Sequence, residues 1–148
     1  MAFRYPLQSV LRFRRSLERQ EEQHLFGAAA VVGRLRADLE QLEKNHFDRK
    51  RQSFQEMLYG TSGAALQFMA VCEAGYAHTR QDLLLQLERA EKKRKEQLEI
   101  YKLARQKRET LESLRDRQEE TYNLEFARHE QQSTDEAFIL RLFSNRIE

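Results

Sequence analysis

Tyr59-Gly60-Thr61-Ser62-Gly63 is the one interior stretch of this 148-residue chain in which turn formers cluster, two glycines and two hydroxyl residues within five positions. Glycine frees the backbone for a reversal, and Thr61 or Ser62 supplies an oxygen for the first free N–H groups of a following helix. The reading predicts that the chain doubles back here. No glycine follows Gly75, and the single proline is Pro6, so nothing else interrupts a helix on either side. Proline is tolerated at a first helical position, which predicts a helix start near Pro6.

Outward from the turn, the apolar residues fall at helical spacing. On the N-terminal side Leu25, Ala28, Val32, Leu35, Leu39 and Leu42 step by three and four, the rhythm of a coiled-coil stripe. Leu7, Val10, Leu11, Phe13 and Leu17 lie on a shifted phase, and Phe47, Phe54 and Leu58 shift it again, so the stripe is expected to wander. On the C-terminal side Met69, Tyr76, Leu83, Leu87, Ala90, Tyr101, Ala104, Leu111 and Tyr122 share one heptad phase. Arg94, Gln97, Arg108 and Gln118 interrupt it, with stems able to cover apolar surface while their heads reach water. The expected fold is all-α, an antiparallel two-helix coiled-coil hairpin with the second helix longer than the first. The expected bounds are helix one about 6–58, turn about 59–63, helix two about 64–132 and a separate apolar C-terminal segment 137–147, all in one domain. At 1.5 Å per residue, helices of about 52 and about 70 residues would be roughly 78 Å and 105 Å long, so the second outruns the first.

Composition narrows the function. Charged residues make up 34% and aromatics 9%, which is long-helix composition rather than that of a rounded core. Lys+Arg at 26 against Asp+Glu at 24 is too balanced for many phosphate contacts, so no nucleic-acid partner is expected. One cysteine, Cys72, excludes an internal disulfide and offers no metal-ligand spacing. The longest apolar run, Leu25 to Gly33, is about half a membrane span, and the N-terminus lacks a signal-peptide core. A cytoplasmic protein is the expectation. His24, His46, His78 and His129 are scattered, and two helices enclose no pocket, so no catalytic residue, metal or cofactor is expected and the chain reads as a non-enzyme.

Three features invite a partner. The N-terminal segment from Phe3 to Arg15 mixes aromatics with arginines, which suits a groove on another protein or a membrane surface. Phe138-Ile139-Leu140 and Leu142-Phe143 form a late apolar cluster, and the ordinary alternative is that this cluster caps the N-terminal segment within the hairpin. Lys92-Lys93-Arg94-Lys95 is a basic run whose neighbours Glu88 and Glu91 sit four residues ahead of Lys92 and Lys95, so it reads as a solvated face.

Phe3-Arg4-Tyr5-Pro6-Leu7-Gln8-x-Val10-Leu11, the turn near Gly60, Lys107-Arg108-Glu109-x-Leu111-Glu112-x-Leu114-Arg115 and Glu130-Gln131-x-x-x-Asp135-Glu136 resemble the FliJ family of flagellar export proteins over nearly the whole chain. The chain departs from the family pattern in its apolar Phe138 to Phe143. The resemblance implies a cytoplasmic, chaperone-escorting component of the flagellar type III export apparatus, peripheral at the inner face of the cell membrane through its partners and so part of motility and chemotaxis machinery. It implies a terminal end that enters the hexameric export ATPase, with Phe3, Tyr5, Leu7, Leu11 and Arg14 as contacts and Phe138 and Leu142 as further ones. It also implies contact with the export gate's cytoplasmic domain, for which Leu42 and Tyr76 are the candidates, and with export chaperones. A stalk of a virulence type III system, a homodimeric structural coiled coil and a membrane-surface module are the competing expectations.

Overall fold

The computed structural model describes residues 3–144 and contains two helices, α1 (Gln8–Met57) and α2 (Gly63–Ser144). They run antiparallel: Arg36 meets Glu91, Arg80 meets Glu43 and Lys50 meets Glu73, so rising numbers on one helix face falling numbers on the other. The second helix is the longer, at 82 residues against 50.

The turn is built as its residue types require. The N–H groups of Tyr59 and Gly60 donate to the carbonyls of Glu56 and Met57, which closes the end of α1. Gly60 then takes φ of 99°, a left-handed conformation that a side chain would resist. Ser62, rather than Thr61, is the cap of α2: its Oγ accepts the Ala65 N–H at 3.2 Å, and its carbonyl accepts the Leu66 N–H.

The expected end of the second helix near 132 is corrected, because α2 continues without interruption to Ser144. Glu130 to Glu136 is polar but contains neither glycine nor proline, and glutamate and glutamine are good helix formers. Thr134 answers its own backbone by donating Oγ–H to the Glu130 carbonyl at 2.9 Å. What was expected as a separate segment at 137–147 is therefore the last two turns of α2 as far as 144, and 145–147 lie outside the described residues.

The chain divides into two compact units, Arg19–Lys102 and Met1–Glu18 with Leu103–Glu148. In the first, the seam follows the aliphatic stripe: Leu25, Ala28, Leu35, Leu39 and Leu42 are half-buried, and Val32 and Ala90 are buried, at 3% and 8% exposure. A pair of helices can bury little more than one stripe of each partner. The stripe does not wander at its turn end as expected. Phe47, Phe54 and Leu58 are exposed, and the burial passes instead through His46 and Ser53, one residue earlier in each heptad.

The second unit keeps the same three-four rhythm with polar side chains. Leu11 is fully buried, and Arg14, Glu18 and, in the other unit, Glu21 continue the half-buried series toward Leu25. Three of the four residues expected to interrupt the seam belong to it, Arg108 in this unit and Arg94 and Gln97 in the other. Arg108 reaches Glu18 on α1 and Glu112 on its own helix rather than water, and the Gln97 amide donates to the Glu21 carboxylate and, at 3.2 Å, to its carbonyl. Arg94 is half-buried with its Nε enclosed and without a hydrogen-bond partner, whereas Gln118 is exposed and outside the seam.

Candidate partner-binding surfaces

The N-terminal segment is fastened to α2 by aromatics and by an ionic cluster. Tyr5 is 7% exposed and donates its hydroxyl to the Leu111 carbonyl at 3.2 Å. Phe3 lies with its ring 5.7 Å from that of Tyr122, which in turn is 6.3 Å from Phe126, so three rings form a row along the end of the pair. Arg15 donates from Nε at 3.0 Å and from Nη2 at 2.8 Å to one oxygen of Glu112, whose other oxygen takes Arg108. The Arg15 guanidinium first, then that of Arg108, hold the Glu112 carboxyl below the usual carboxylate range against the opposing effect of burial. Arg108 is in turn raised above its ordinary value, chiefly by its hydrogen bonds to Glu18.

This arrangement sorts the residues of the N-terminal segment. Tyr5 and Leu11 are spent on internal contacts, Phe3 is half-buried against Tyr122, and Arg14 is half-buried. Leu7 is exposed, and so are Val10 and Phe13, which follow at three-residue steps along one flank of α1. Val10 and Phe13 thus make an exposed apolar flank at the start of α1, with Leu7 exposed just before the helix and the half-buried Arg14 one turn after Val10. The internal-capping alternative does not describe this end, because Leu111 and Tyr122 cover the N-terminal segment. Phe138 and Leu142 are exposed, as is every described residue after Tyr122.

At the turn end, Leu42 is a half-buried seam residue, and Tyr76 stacks on His46 with ring centroids 3.6 Å apart and planes within 3°. His46 Nε2 and Lys50 Nζ both approach Glu73 at 3.4 Å. Beside this cluster a groove of about 1000 Å³ is lined by Phe47, Phe54, Met57, Phe68, Met69 and Cys72. The sequence reading missed it because it spent Phe47 and Phe54 on the seam. The available signal was their position one residue after His46 and Ser53, the residues that the heptad from Leu25 onward reaches first.

Among the described residues no helix is long and apolar enough to cross a membrane, and no group of His, Cys, Asp and Glu is placed to hold a metal ion. The family described as Flagellar FliJ protein matches residues 3–148. The chain belongs to the FliJ family. Neither the curated proteins nor the solved structures contain a match to it. Membership makes it a flagellar export-associated protein, and the match extends over the exposed N-terminal apolar set, the turn-end groove and the exposed last turns of α2.

Proposed function

We propose that this FliJ-family protein is a non-enzymatic, cytoplasmic stalk of the flagellar type III export apparatus, placed at the inner face of the cell membrane by its partners. Its N-terminal end enters the ring of the hexameric export ATPase, its turn end meets the cytoplasmic domain of the export gate, and it escorts export chaperones. The observation that carries this reading is the exposed apolar set Leu7, Val10 and Phe13, anchored by the buried Tyr5 and Leu11 and with Arg14 one turn after Val10. An apolar set with a cation beside it fits an apolar pocket with a carboxylate at its rim. Leu7 and Arg14 are then contacts, whereas Phe3, Tyr5 and Leu11 position the segment, and Phe138 and Leu142 extend the contact along α2.

The mechanism follows from symmetry. Two antiparallel helices have no rotational symmetry, so identical subunits around them meet different surfaces at any moment. A ring state that matches this apolar set is stabilised over the others, which promotes ring assembly and biases the order of hydrolysis. The gate contact then falls on the turn half, where Leu42 and Tyr76 support the aromatic groove.

Co-purification of the export ATPase with wild type and with Leu7→Asp/Val10→Asp/Phe13→Asp tests the reading. The expected result is loss of the ATPase from the triple variant with helicity unchanged. Equal recovery with both proteins overturns it.

A further inference from the structure

The basic run near Lys93 is not merely a solvated face. Within the Arg19–Lys102 unit, a groove of about 480 Å³ lies between α1 and α2, floored by Ala28, Val31, Leu35 and Ala90. Arg34 from α1 and Arg89 and Lys93 from α2 stand on its walls, all three exposed, and no Asp or Glu lines it. Among the described residues none of the three is in an ion pair, whereas Arg36 and Arg80 nearby on the same helices are paired with Glu91 and Glu43. Arg89 and Lys93 are also four residues apart on one helix, a like-charge spacing that weakens the helix. The turn-end groove differs, since it contains Glu56 and Glu73 besides its cations and Lys50 is already paired with Glu73.

We infer that this central groove is a docking site for an acidic amphipathic helix of a partner protein, with the partner's aliphatic stripe on the floor and its carboxylates on Arg34, Arg89 and Lys93. Charge complementarity selects the occupant: three cations without counter-ions around an apolar floor call for an apolar stripe flanked by carboxylates. Small floor residues, Ala28 and Ala90, allow a third helix to approach closely. A lipid surface fits less well, because interfacial binding requires apolar side chains that protrude. Here Ala28 and Leu35 are half-buried and Ala90 is 8% exposed, which leaves Val31 as the one exposed apolar side chain of the floor. The inference goes beyond the stalk reading and stands without it.

The test uses the full chain and a synthetic helical peptide of about 18 residues, with Leu and Ala along one face and Glu on both flanks. A second peptide carries Lys in place of every Glu. Wild type is expected to bind the Glu peptide, with shifts of amide resonances confined to 28–35 and 86–93, and not the Lys peptide. Arg34→Glu/Arg89→Glu/Lys93→Glu should bind the Glu peptide about tenfold or more weakly and gain the Lys peptide. The neutral variant Arg34→Gln/Arg89→Gln/Lys93→Gln, which keeps every side chain helix-compatible, should fall between the two. Absence of Glu-peptide binding, equal binding of both peptides by wild type, indifference to the substitutions, or shifts centred on Phe47 and Phe68 would each overturn the inference. So would cation-dependent binding to phosphatidylserine vesicles in place of the peptide. The ATPase co-purification depends on Leu7, Val10 and Phe13, so either proposal can fail alone.

Discussion

The stretch of seam from Leu25 to Leu42 and the stretch from Leu11 to Glu21 keep the same helical rhythm with opposite chemistry. The first covers Leu25, Ala28, Val32, Leu35, Leu39 and Leu42 on α1 and Leu83, Leu87 and Ala90 on α2, and its ion pairs, such as Arg36–Glu91, stand outside the seam. The second places Glu18 and Arg108 where leucines would otherwise sit, flanked by Arg15 and Glu112, and its apolar anchors are Tyr5 and Leu11. Aliphatic contacts are indifferent to pH and salt and tolerate small slips. Charge-assisted hydrogen bonds require one register but contribute little net stability once desolvation is offset. The N-terminal segment is therefore held in a defined position by contacts that open more easily than those of the aliphatic stretch.

The harshest way to break the comparison is a charge in the aliphatic stretch. Val32 is 3% exposed, with Ala28 and Leu35 on either side of it in the stripe, and Val32→Asp puts a charge where an aliphatic side chain is buried. A loss of about 3–5 kcal/mol is expected, enough to abolish a cooperative thermal transition followed by circular dichroism. A transition shifted by only a degree or two would mean that the aliphatic seam matters less than its burial indicates.

The ionic stretch should respond more mildly and more locally. Glu112→Ala removes the acceptor of both Arg15 and Arg108, and because those side chains are 37% and 20% exposed, about 1 kcal/mol is expected after solvent screening. Hydrogen exchange should speed up at the amides of residues 8–18 and stay unchanged at 25–42. Acid should mimic the substitution in wild type. The Glu112 carboxyl sits below its ordinary 4.5 when folded, so its contribution is fully present above that value. It is lost as pH falls through the lower folded value, with the protonated form favouring the open state. Protection at 8–18, taken relative to the intrinsic exchange rate at each pH, that does not fall between pH 6 and acid would remove the ionic cluster from the account.

What was legible in the sequence follows the same division. The reversal was readable because Gly60 and Ser62 have few other uses in that order, and the middle of the seam because Leu, Ala and Val at three-four spacing have only one helical explanation. The polar continuation was not readable, since Arg108, Gln97 and Glu18 look like surface residues until their partners on the other helix are known. Phe47 and Phe54 misled for the converse reason: large aromatics were assigned to the core although the heptad reaches His46 and Ser53 first. Of the proposed contacts, Leu7 and Arg14 could be picked from the sequence, but Tyr5 and Leu11 could not be separated from them without Leu111 in view.

Arg94 offers a way to sharpen the contrast in the stabilising direction. Its Nε is enclosed without a hydrogen-bond partner, so Arg94→Leu exchanges an uncompensated polar group for aliphatic contact in the seam. A gain of about 1 kcal/mol is expected, seen as a rise of about 2–4 °C in Tm. A lower Tm would show that the rest of the guanidinium, in reach of water, contributes more than its buried atom costs.

The smallest effect separates folding from docking. Arg89 and Lys93 repel at i,i+4, so Arg89→Gln should raise stability by about 0.3 kcal/mol, read as a slight rise in denaturation midpoint at low salt that vanishes at high salt. The same substitution should weaken the acidic helical peptide. A residue whose removal improves the helix and impairs binding is retained for the partner, because seam packing gives no reason to keep two like charges beside an apolar floor. If Arg89→Gln lowers stability at low salt, the cation has a counter-charge within the fold, and the groove loses the uncompensated charge on which its choice of partner rests.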